Sequence, residues 1–230
     1  MPALYGVPVR VDVHVMCTSA IDGDFNPLRT SRNVLEHRRR SLIDLPWTQL
    51  LEEHGTVVVD VVAAGDGDFA EGDVMVTSTP GSVLGIWTGD CAPVCIVGDR
   101  VIAAVHAGWR GIRDGVLDAA VAAVVRNGDS VRAAWIGPHI HPCCYEFGGD
   151  DLERMVELLG PGVSSVDRRG RPALDVDACV RSALERCTGH AVEIRSVGHC
   201  TGCHPLGYFS HRVRGEEGRQ VTAFWIGGPS

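Results

Sequence analysis

The fold of this chain is decided by two apolar runs, Val83-Leu84-Gly85-Ile86-Trp87 and Val101-Ile102-Ala103-Ala104-Val105. Short runs of this kind, bounded by turn residues, are typical of buried β-strands. The first run leads through Thr88-Gly89-Asp90 to Cys91, and the second leads directly to His106. We therefore predict two buried strands that carry a thiol and an imidazole at their ends.

Further apolar runs on both sides of this region alternate with segments of helical periodicity. The predicted strands are residues 9–16, 56–62, 74–77, 82–88, 94–97, 101–105, 131–136, 192–197 and 220–226. The predicted helices are residues 33–51 (in two pieces broken near Pro46), 116–125, 150–159 and 175–187, and residues 161–172 are expected to form a polar loop. No internal repeat or linker divides the sequence. We therefore predict one α/β domain over residues 1–230, with mixed sheets and covering helices.

The composition limits the kinds of partner that the chain can have. It has 230 residues, of which 45% are hydrophobic and 22% charged, and its net charge is −8. Such values are typical of a globular domain, and the negative charge disfavours nucleic acids and anionic membranes as partners. All of its cationic side chains are arginines. This excludes Schiff-base and Walker-type lysines, whereas arginine binds phosphate through a bidentate fork.

The cysteine content and the N-terminus favour a cytoplasmic protein. The first residues show no basic segment followed by an apolar core, and no run approaches the ~18 apolar residues of a membrane span. Nine cysteines, an odd number, do not indicate a disulfide framework in such a compartment. We therefore expect some of the thiols to be metal ligands and others to be core residues.

His54, Cys91 and His106 form the first candidate site. They lie at the edges of predicted strands and make a two-His, one-Cys set with a fourth position open, a known arrangement of catalytic zinc. The alternative is a buried thiol with hydrogen-bonded core histidines, the commoner situation for a single Cys or His. Asp90 favours the site, because a desolvated carboxylate needs a partner. Arg110, in the turn after His106, is predicted to bind an anion beside the start of the next helix.

A second cysteine pattern lies near the C-terminus. Cys200-Thr201-Gly202-Cys203-His204 matches the haem-attachment pattern Cys-x-x-Cys-His and half of a zinc knuckle. Haem attachment normally requires export, for which we see no signal. A zinc knuckle would need Cys143 and Cys144 as the second pair, and adjacent cysteines have poor geometry for one tetrahedral ion. We therefore expect a structural loop near the active site rather than a second metal site.

Six motifs together resemble a known family. They are Thr88-Gly-Asp-Cys-Ala-Pro-Val94, His106-Ala-Gly-Trp-Arg-Gly111, Ile136-Gly-Pro with Pro142-Cys-Cys-Tyr-Glu146, Cys200-Thr201, Tyr208-Phe-Ser-His-Arg212 and Gly218-Arg-Gln220. In this order they resemble the laccase-domain family, first described as multicopper polyphenol oxidases. Its members are now also described as purine nucleoside phosphorylases with adenosine deaminase activity, and one branch as peptidoglycan editing factors.

The resemblance covers roughly residues 54 to 226 and implies a layered α/β/β/α sandwich with a metal held by His54, Cys91 and His106. The sequence departs from the family in two places. The family usually shows Gln-x-His-Gly where this chain has Glu52-Glu53-His54-Gly55. The Gly-rich substrate loop of the family is poorly matched in residues 17–30. Both departures fall where substrate would be contacted.

The function that the resemblance implies is that of a zinc-dependent purine nucleoside enzyme, with copper as the alternative metal and with nucleoside and phosphate as small-molecule partners. Arg110 would hold phosphate, Asp73 would hydrogen-bond a purine nitrogen or a ribose hydroxyl, and Cys91 and His106 would act in catalysis as metal ligands.

Three other functions stay open. The first is a metal-free cysteine hydrolase or amidase acting on a cell-wall peptidoglycan precursor, with Cys91 as nucleophile and His106 as base. The second is a copper-dependent polyphenol oxidase, for which the ten scattered histidines are a poor match. The third is a non-enzymatic metal-binding or thiol redox protein.

Overall fold

The computed structural model of the protein describes residues 3–8 and 11–228. Its strands are β1 (Ala3–Pro8), β2 (Asp12–Cys17), β3 (Trp47–Thr48), β4 (Val58–Asp60), β5 (Val74–Thr77), β6 (Val83–Thr88), β7 (Ala92–Val97), β8 (Ile102–Ala107), β9 (Ala133–Ile136), β10 (Ser164–Val166), β11 (Pro172–Leu174), β12 (Glu193–Ser196) and β13 (Gln220–Ile226). Its α-helices are α1 (Arg32–Leu42), α2 (Trp109–Asp114), α3 (Val116–Arg126), α4 (Asp150–Leu159), α5 (Val176–Thr188) and α6 (His211–Arg214). The strand predicted at residues 9–16 is β2 in part, and Val9 and Arg10 lie outside the described residues.

Most of the strands form two mixed sheets. The first has the order β1-β2-β13-β6-β3, and the second has the order β12-β9-β7-β8-β5-β4. In the first sheet β6 pairs antiparallel with β13 and parallel with β3. In the second sheet β9 pairs antiparallel with β7 and parallel with β12. The predicted α/β class with mixed sheets is confirmed.

The two sheets pack against each other, and helices cover their outer faces. Along β8, Ile102 and Ala104 belong to the apolar core between the sheets, whereas Ala103 and Val105 belong to the core that α2 to α5 cover. On the far side Leu35 of α1 packs with Val83 of β6. A strand buried on both faces shows a continuous hydrophobic run, which is why residues 101–105 show no alternation. The layers have the α/β/β/α order that the resemblance implies.

Several predicted elements differ from the observed ones. The helical pattern predicted to reach residue 51 ends at Leu42, and β3 follows Pro46, because proline lacks an N–H and favours an extended residue before it. The strand predicted at residues 56–62 contains only β4. The polar loop predicted at residues 161–172 is wrong in part, since β10 pairs with β11 across a turn in which Asp167 accepts backbone N–H groups. Among the described residues, no helix is both long and apolar enough to cross a bilayer.

The pairing of β7 with β8 brings the two predicted site residues together. Pro93 lies opposite His106 and Ala92 lies opposite Ala107. Cys91, which directly precedes β7, is therefore beside the C-terminal end of β8. Because side chains alternate along a strand, His106 lies on the same face as Ile102 and Ala104, the face between the sheets. The imidazole thus sits at the open end of the inter-sheet core.

Candidate metal centre

The three residues predicted as metal ligands come together in space. One ligand atom from each of His54, Cys91 and His106 lies within 4.8 Å of the other two. Sγ of Cys91 is 3.7 Å from Nε2 of His54. The two imidazole rings meet edge to face, with centroids 4.7 Å apart. Three chain segments that are distant in sequence therefore converge on one point.

Asp73 holds two of these residues in place. Its carboxylate accepts hydrogen bonds from Nδ1 of His106 at 2.8 Å and from the backbone N–H groups of His54 at 2.9 Å and Gly55 at 2.7 Å. Burial alone would raise the pKa of Asp73, but the hydrogen bonds and charge of His106 and the two backbone donors together lower it below 3.8. An ionised carboxylate that fixes an imidazole is the usual support behind a metal-binding histidine.

The same contact fixes which nitrogen of His106 faces a metal. Nδ1 donates to Asp73, so Nε2 is the atom with a free lone pair. The His106 side chain is only 4% exposed. Burial alone would lower the pKa of His106, but the charges of Glu52 and Cys91 and the hydrogen bond to Asp73 raise it well above 6.5. The acidic groups around the ring therefore favour a positive charge at this position.

Glu52 is a buried carboxyl group beside the ligands. Its side chain is 2% exposed, and its Oε2 lies 3.5 Å from Nδ1 of His106. Its Oε1 accepts the backbone N–H of Trp87 at 3.0 Å. Burial raises the pKa of Glu52 from 4.5 to about 8, against the opposing effects of His106 and the Trp87 N–H. This carboxyl group is therefore mostly protonated at pH 7 when no metal is bound.

The Cys91 thiol is activated by the two histidines. Burial alone would raise its pKa, but the charge and hydrogen bond of His106 and the hydrogen bond of His54 lower it from 9.0 to about 6. Cys91 is therefore a thiolate at neutral pH. The thiolate is the form of cysteine that binds metals and acts as a nucleophile.

A network of hydrogen bonds fixes the backbone just before Cys91. Asp90 has a φ of 137°, which non-glycine residues rarely adopt. Its carboxylate accepts hydrogen bonds from Oγ1 of Thr201 at 2.6 Å, Oγ of Ser210 at 2.7 Å and the backbone N–H of Arg212 at 2.6 Å. Strain of this kind persists only where the surroundings hold it. We call these three donors and Asp90 the Asp90 clamp.

Gly108 leaves the space that the ligands need. A Cβ atom at this position would lie 2.8 Å from Cδ2 of His54 and 3.1 Å from Sγ of Cys91. Its backbone conformation is one that any residue adopts, with a φ of −80°. Glycine is therefore required here because the side chains of His54 and Cys91 lie so close, and not because of its backbone conformation.

A cavity of about 320 Å³ opens beside the three ligands. Its walls include three aromatic rings and three arginines: Trp87, Trp109, Tyr145, Arg110, Arg212 and Arg219. The Arg110 guanidinium lies 4.8 Å from the centre of the Trp109 ring, and the Arg212 guanidinium lies 4.8 Å from the centre of the Tyr145 ring. Neither guanidinium forms an ion pair with a carboxylate of residues 11–228. The cavity wall therefore offers two guanidinium groups to an anion.

The predicted site residues occupy two different positions. His54, Cys91, His106 and Arg110 line the cavity, whereas Asp73 is 1% exposed and lies behind the ligands. In this structure Asp73 contacts His106 and the backbone of His54 and Gly55, and its predicted contact with substrate stays a prediction. Arg110 lies inside α2, a short helix that the sequence analysis missed, and the predicted helix α3 begins only at Val116.

Other residues of the site were missed by sequence reasoning. Glu52 and Trp87 line the cavity, and so do Tyr145, Arg212 and Arg219. No local pattern marks them, because the segments that carry them are far apart along the chain. Tyr145, Arg212 and Arg219 stand within the quoted family motifs, whereas Glu52 is one of the departures from the family. Those motifs were the signal that could have identified them.

The donor set is suited to a metal ion. It consists of one thiolate and two imidazoles, one of them with its tautomer fixed by Asp73, and Gly108 leaves room between them. Three protein ligands beside a cavity are the pattern of a catalytic metal site, which keeps one position for water or substrate. Such a set binds either zinc or copper.

Comparison with known proteins identifies relatives over most of the chain. A family model described as multi-copper polyphenol oxidoreductase laccase matches residues 23–227. A purine nucleoside phosphorylase of Xylella fastidiosa strain Temecula1 is 38% identical over 221 residues, which cover 91% of this chain and 83% of that protein. Adenosine deaminase RL5, from an unknown prokaryotic organism, is 32% identical over 162 residues, which cover 66% of this chain and 62% of that protein.

Solved structures share the fold. The hypothetical protein YfiH of Bacillus licheniformis has a TM-score of 0.80 at 20% identity, over 98% of this chain and 97% of its own. The protein NMB0706 of Neisseria meningitidis has a TM-score of 0.79 at 24% identity, over 99% of both chains. At these identities the likeness is one of fold alone.

Proposed function

The chain belongs to the multi-copper polyphenol oxidoreductase laccase family, and from this premise we propose that it is a zinc-dependent purine nucleoside enzyme. The main reaction is phosphorolysis of adenosine- or inosine-type nucleosides, in which phosphate bonds to C1′ of the ribose as the purine base leaves. Deamination of adenosine is the second activity. The observation that carries the proposal is the convergence of His54, Cys91 and His106 beside a cavity with unpaired arginines and aromatic rings. The names of the relatives support it.

Arg110 and Arg212 are proposed to bind the phosphate. A guanidinium matches a phosphate with two parallel hydrogen bonds, and neither side chain has a described carboxylate partner to compete for them. Stacking on Trp109 and Tyr145 restricts where each guanidinium can lie. The same rings offer flat apolar surfaces to a purine base. A cavity of about 320 Å³ is within the range of roughly 300–1,000 Å³ that small-molecule sites occupy.

We assign zinc, with copper as the alternative, to His54, Cys91 and His106. A zinc ion held there supplies a Lewis acid and activates water as a nucleophile, which deamination requires. Asp73 acts as a positioning residue, because it holds Nδ1 of His106 and the backbone of His54. Glu52 places a second carboxyl group beside His106, and its negative charge when ionised favours a bound cation.

A second candidate function is favoured by one observation. Cys91, His106 and Asp73 form a chain of thiolate, imidazole and carboxylate, which is also the arrangement of a cysteine hydrolase. Such an enzyme would attack an amide of a cell-wall precursor without metal. His54 separates the two hypotheses, because the metal site needs its imidazole and the hydrolase does not.

We further propose that residues 1–230 act as one laccase-like domain on small molecules in the cytoplasm, where reducing conditions keep the nine cysteines out of disulfides. A copper polyphenol oxidase is less favoured. Among the described residues, the groups suited to a metal are this His/Cys set and a cluster of four cysteines, with no cluster of histidines for further copper ions.

The proposal is tested by product analysis on purified protein. Inosine with inorganic phosphate should yield hypoxanthine and ribose 1-phosphate, and omission of phosphate should abolish the release of base. Adenosine without phosphate should yield inosine. His54→Ala should lower both activities at least tenfold together with the zinc content. His37→Ala, a substitution at an exposed histidine of α1, is the matched control and should change neither.

Two outcomes would contradict the proposal. The first is zinc-loaded protein that cleaves and deaminates no nucleoside. The second is a His54→Ala variant with full activity in chelator, beside an inactive Cys91→Ala variant, which would favour the cysteine hydrolase. Oxygen uptake with a phenol after copper loading would favour the oxidase.

A further inference from the structure

Four cysteines outside the His/Cys site lie together in space. We call Cys143, Cys144, Cys200 and Cys203 the four-cysteine cluster. Sγ of Cys143 lies 3.8 Å from Cys144, 3.8 Å from Cys200 and 3.5 Å from Cys203, and Sγ of Cys144 lies 3.6 Å from Cys203. All four sulfur atoms are within 4.8 Å of one another.

This arrangement corrects the expectation that Cys200 and Cys203 lack a second pair. Adjacent side chains point to opposite faces only on an extended chain. Cys143 and Cys144 instead end the 3-10 turn Pro142–Cys144, where both sulfur atoms reach the same side. Gly202 allows the other loop to come close, because a Cβ atom there would lie 2.7 Å from Cβ of Cys144.

The sulfur separations match those around one tetrahedral metal ion. With Zn–S bonds of about 2.3 Å, the edge of a tetrahedron is about 3.8 Å. Four of the six sulfur separations run from 3.5 to 3.8 Å, and all six are within 4.8 Å. A disulfide would need about 2.05 Å. In an iron–sulfur cluster with two or four irons, the four cysteines are divided between those irons, so sulfurs on different irons would lie farther apart.

Two neighbouring groups are placed to stabilise a cluster of negative charge. Nη2 of Arg168 lies 2.9 Å from Sγ of Cys144 and 2.6 Å from Sγ of Cys203. The backbone N–H of His141 donates to Sγ of Cys200 at 3.3 Å. Four thiolates around a divalent ion carry a net charge of −2. A guanidinium and a backbone N–H offset part of it, as outer groups do at other metal sites.

We propose that the four-cysteine cluster binds one zinc ion as a closed structural site, separate from the His54–Cys91–His106 site. Four protein ligands leave no position for substrate, which distinguishes a structural site from a catalytic one. Binding displaces the thiol protons to solvent as the Zn–S bonds form. No oxidant or reductant is required.

The cluster joins the segment before Tyr145 to the loop that holds Thr201. Cys144 is followed by Tyr145, which lines the cavity. Cys200 is followed by Thr201, whose hydroxyl belongs to the Asp90 clamp. A metal at the cluster therefore fastens the segment around Tyr145 to the loop that supports Cys91.

Zinc content measured by mass spectrometry of the full chain tests the proposal. The parent protein, expressed with zinc and dialysed against metal-free buffer, should carry about two zinc ions per chain. Cys203→Ser should carry about one, and His54→Ala should also carry about one. Cys187→Ser, a substitution at a half-buried cysteine of α5, is the matched control and should keep both.

A second measurement needs no substitution in the cluster. X-ray absorption at the zinc edge of His54→Ala should show only sulfur neighbours, at about 2.3 Å. The proposal is wrong if the parent carries one zinc that Cys203→Ser retains, if zinc in His54→Ala shows nitrogen or oxygen neighbours, or if the four thiols of native, metal-saturated protein react as free thiols. Because these readouts involve no turnover, the proposal stands or fails independently of nucleoside chemistry.

Discussion

Replacement of Glu52 by glutamine tests the electrostatics of the ligand site. Glu52→Gln keeps the shape of the side chain and an oxygen for the Trp87 N–H, and it removes the ability to ionise. In the folded protein without metal, burial raises the pKa of Glu52 from 4.5 to about 8. The folded state therefore binds this proton more tightly than the unfolded state does.

The sign and size of the effect follow from linkage. Between pH 4.5 and pH 8 the folded state holds the Glu52 proton that the unfolded state has lost, so the contribution of Glu52 to stability falls as pH rises. pH 7 lies 2.5 pH units above the unfolded-state pKa of 4.5. At about 1.4 kcal/mol per pH unit, the contribution of Glu52 to the free energy of unfolding falls by about 3 kcal/mol over this range. The glutamine variant cannot ionise, so it lacks this pH-dependent loss of stability. It should match the parent near pH 4.5 and exceed it by about 3 kcal/mol at pH 7.

The assay is urea unfolding of both proteins in chelator at pH 4.5, 6 and 7, followed by circular dichroism. Glu53→Gln is the matched control, because Glu53 is the exposed neighbour and its replacement should change little at any pH. A stability difference that does not vary with pH, or a glutamine variant weaker than the parent at pH 7, would refute the reasoning. The carboxyl group would then be hydrated or ionised within the fold.

Three further substitutions test the supports of the site. Gly108→Ala should lower zinc content, because the new methyl group would meet His54 and Cys91. The control Gly162→Ala, in open space, should keep the zinc content of the parent. If both variants held as much zinc as the parent, the backbone at residue 108 would have shifted to make room for the methyl group. Asp73→Asn should weaken zinc binding about 10- to 100-fold in competition with a chelator, and an unchanged affinity would remove Asp73 from the support of His106. Arg212→Ala should raise the KM for phosphate about tenfold with zinc still bound, because a charge-assisted hydrogen bond is lost. If only the KM for nucleoside changed, Arg212 would not be a phosphate-binding residue.

The sequence allows a site residue to be predicted where that residue stands beside a recognisable strand pattern. The run at residues 101–105 identifies a buried strand because valine, isoleucine and alanine fill both of its faces. A histidine and a cysteine beside such strands are conspicuous, since buried strands rarely carry polar side chains at their ends without a partner. The strand positions and the convergence of the two residues could therefore be predicted from short segments.

The supports of the site could not be read in the same way, because they depend on which strands pair. Asp73 reaches His106 because β5 lies beside β8 with Val74 opposite Val105. No pattern within either segment states that pairing. By local pattern Asp73 and Glu52 resemble ordinary loop carboxylates, although the fold buries both, and only the family resemblance pointed to Asp73. The four-cysteine cluster was missed for a related reason, since the geometry of Cys143 and Cys144 depends on a turn that their spacing alone does not define.

The Asp90 clamp lies between the two proposed metal sites. Its Thr201 belongs to the loop that the four-cysteine cluster holds, and its Asp90 fixes the backbone that presents Cys91. A metal at the cluster should therefore favour the arrangement of Cys91 that the other site needs. Because such coupling is reciprocal, zinc at either site should raise the affinity of the other by the same factor. The zinc affinity of the remaining site in Cys203→Ser and in His54→Ala should therefore be lower than in the parent. If it is the same, Ser210 and Arg212 hold Asp90 without help from the cluster.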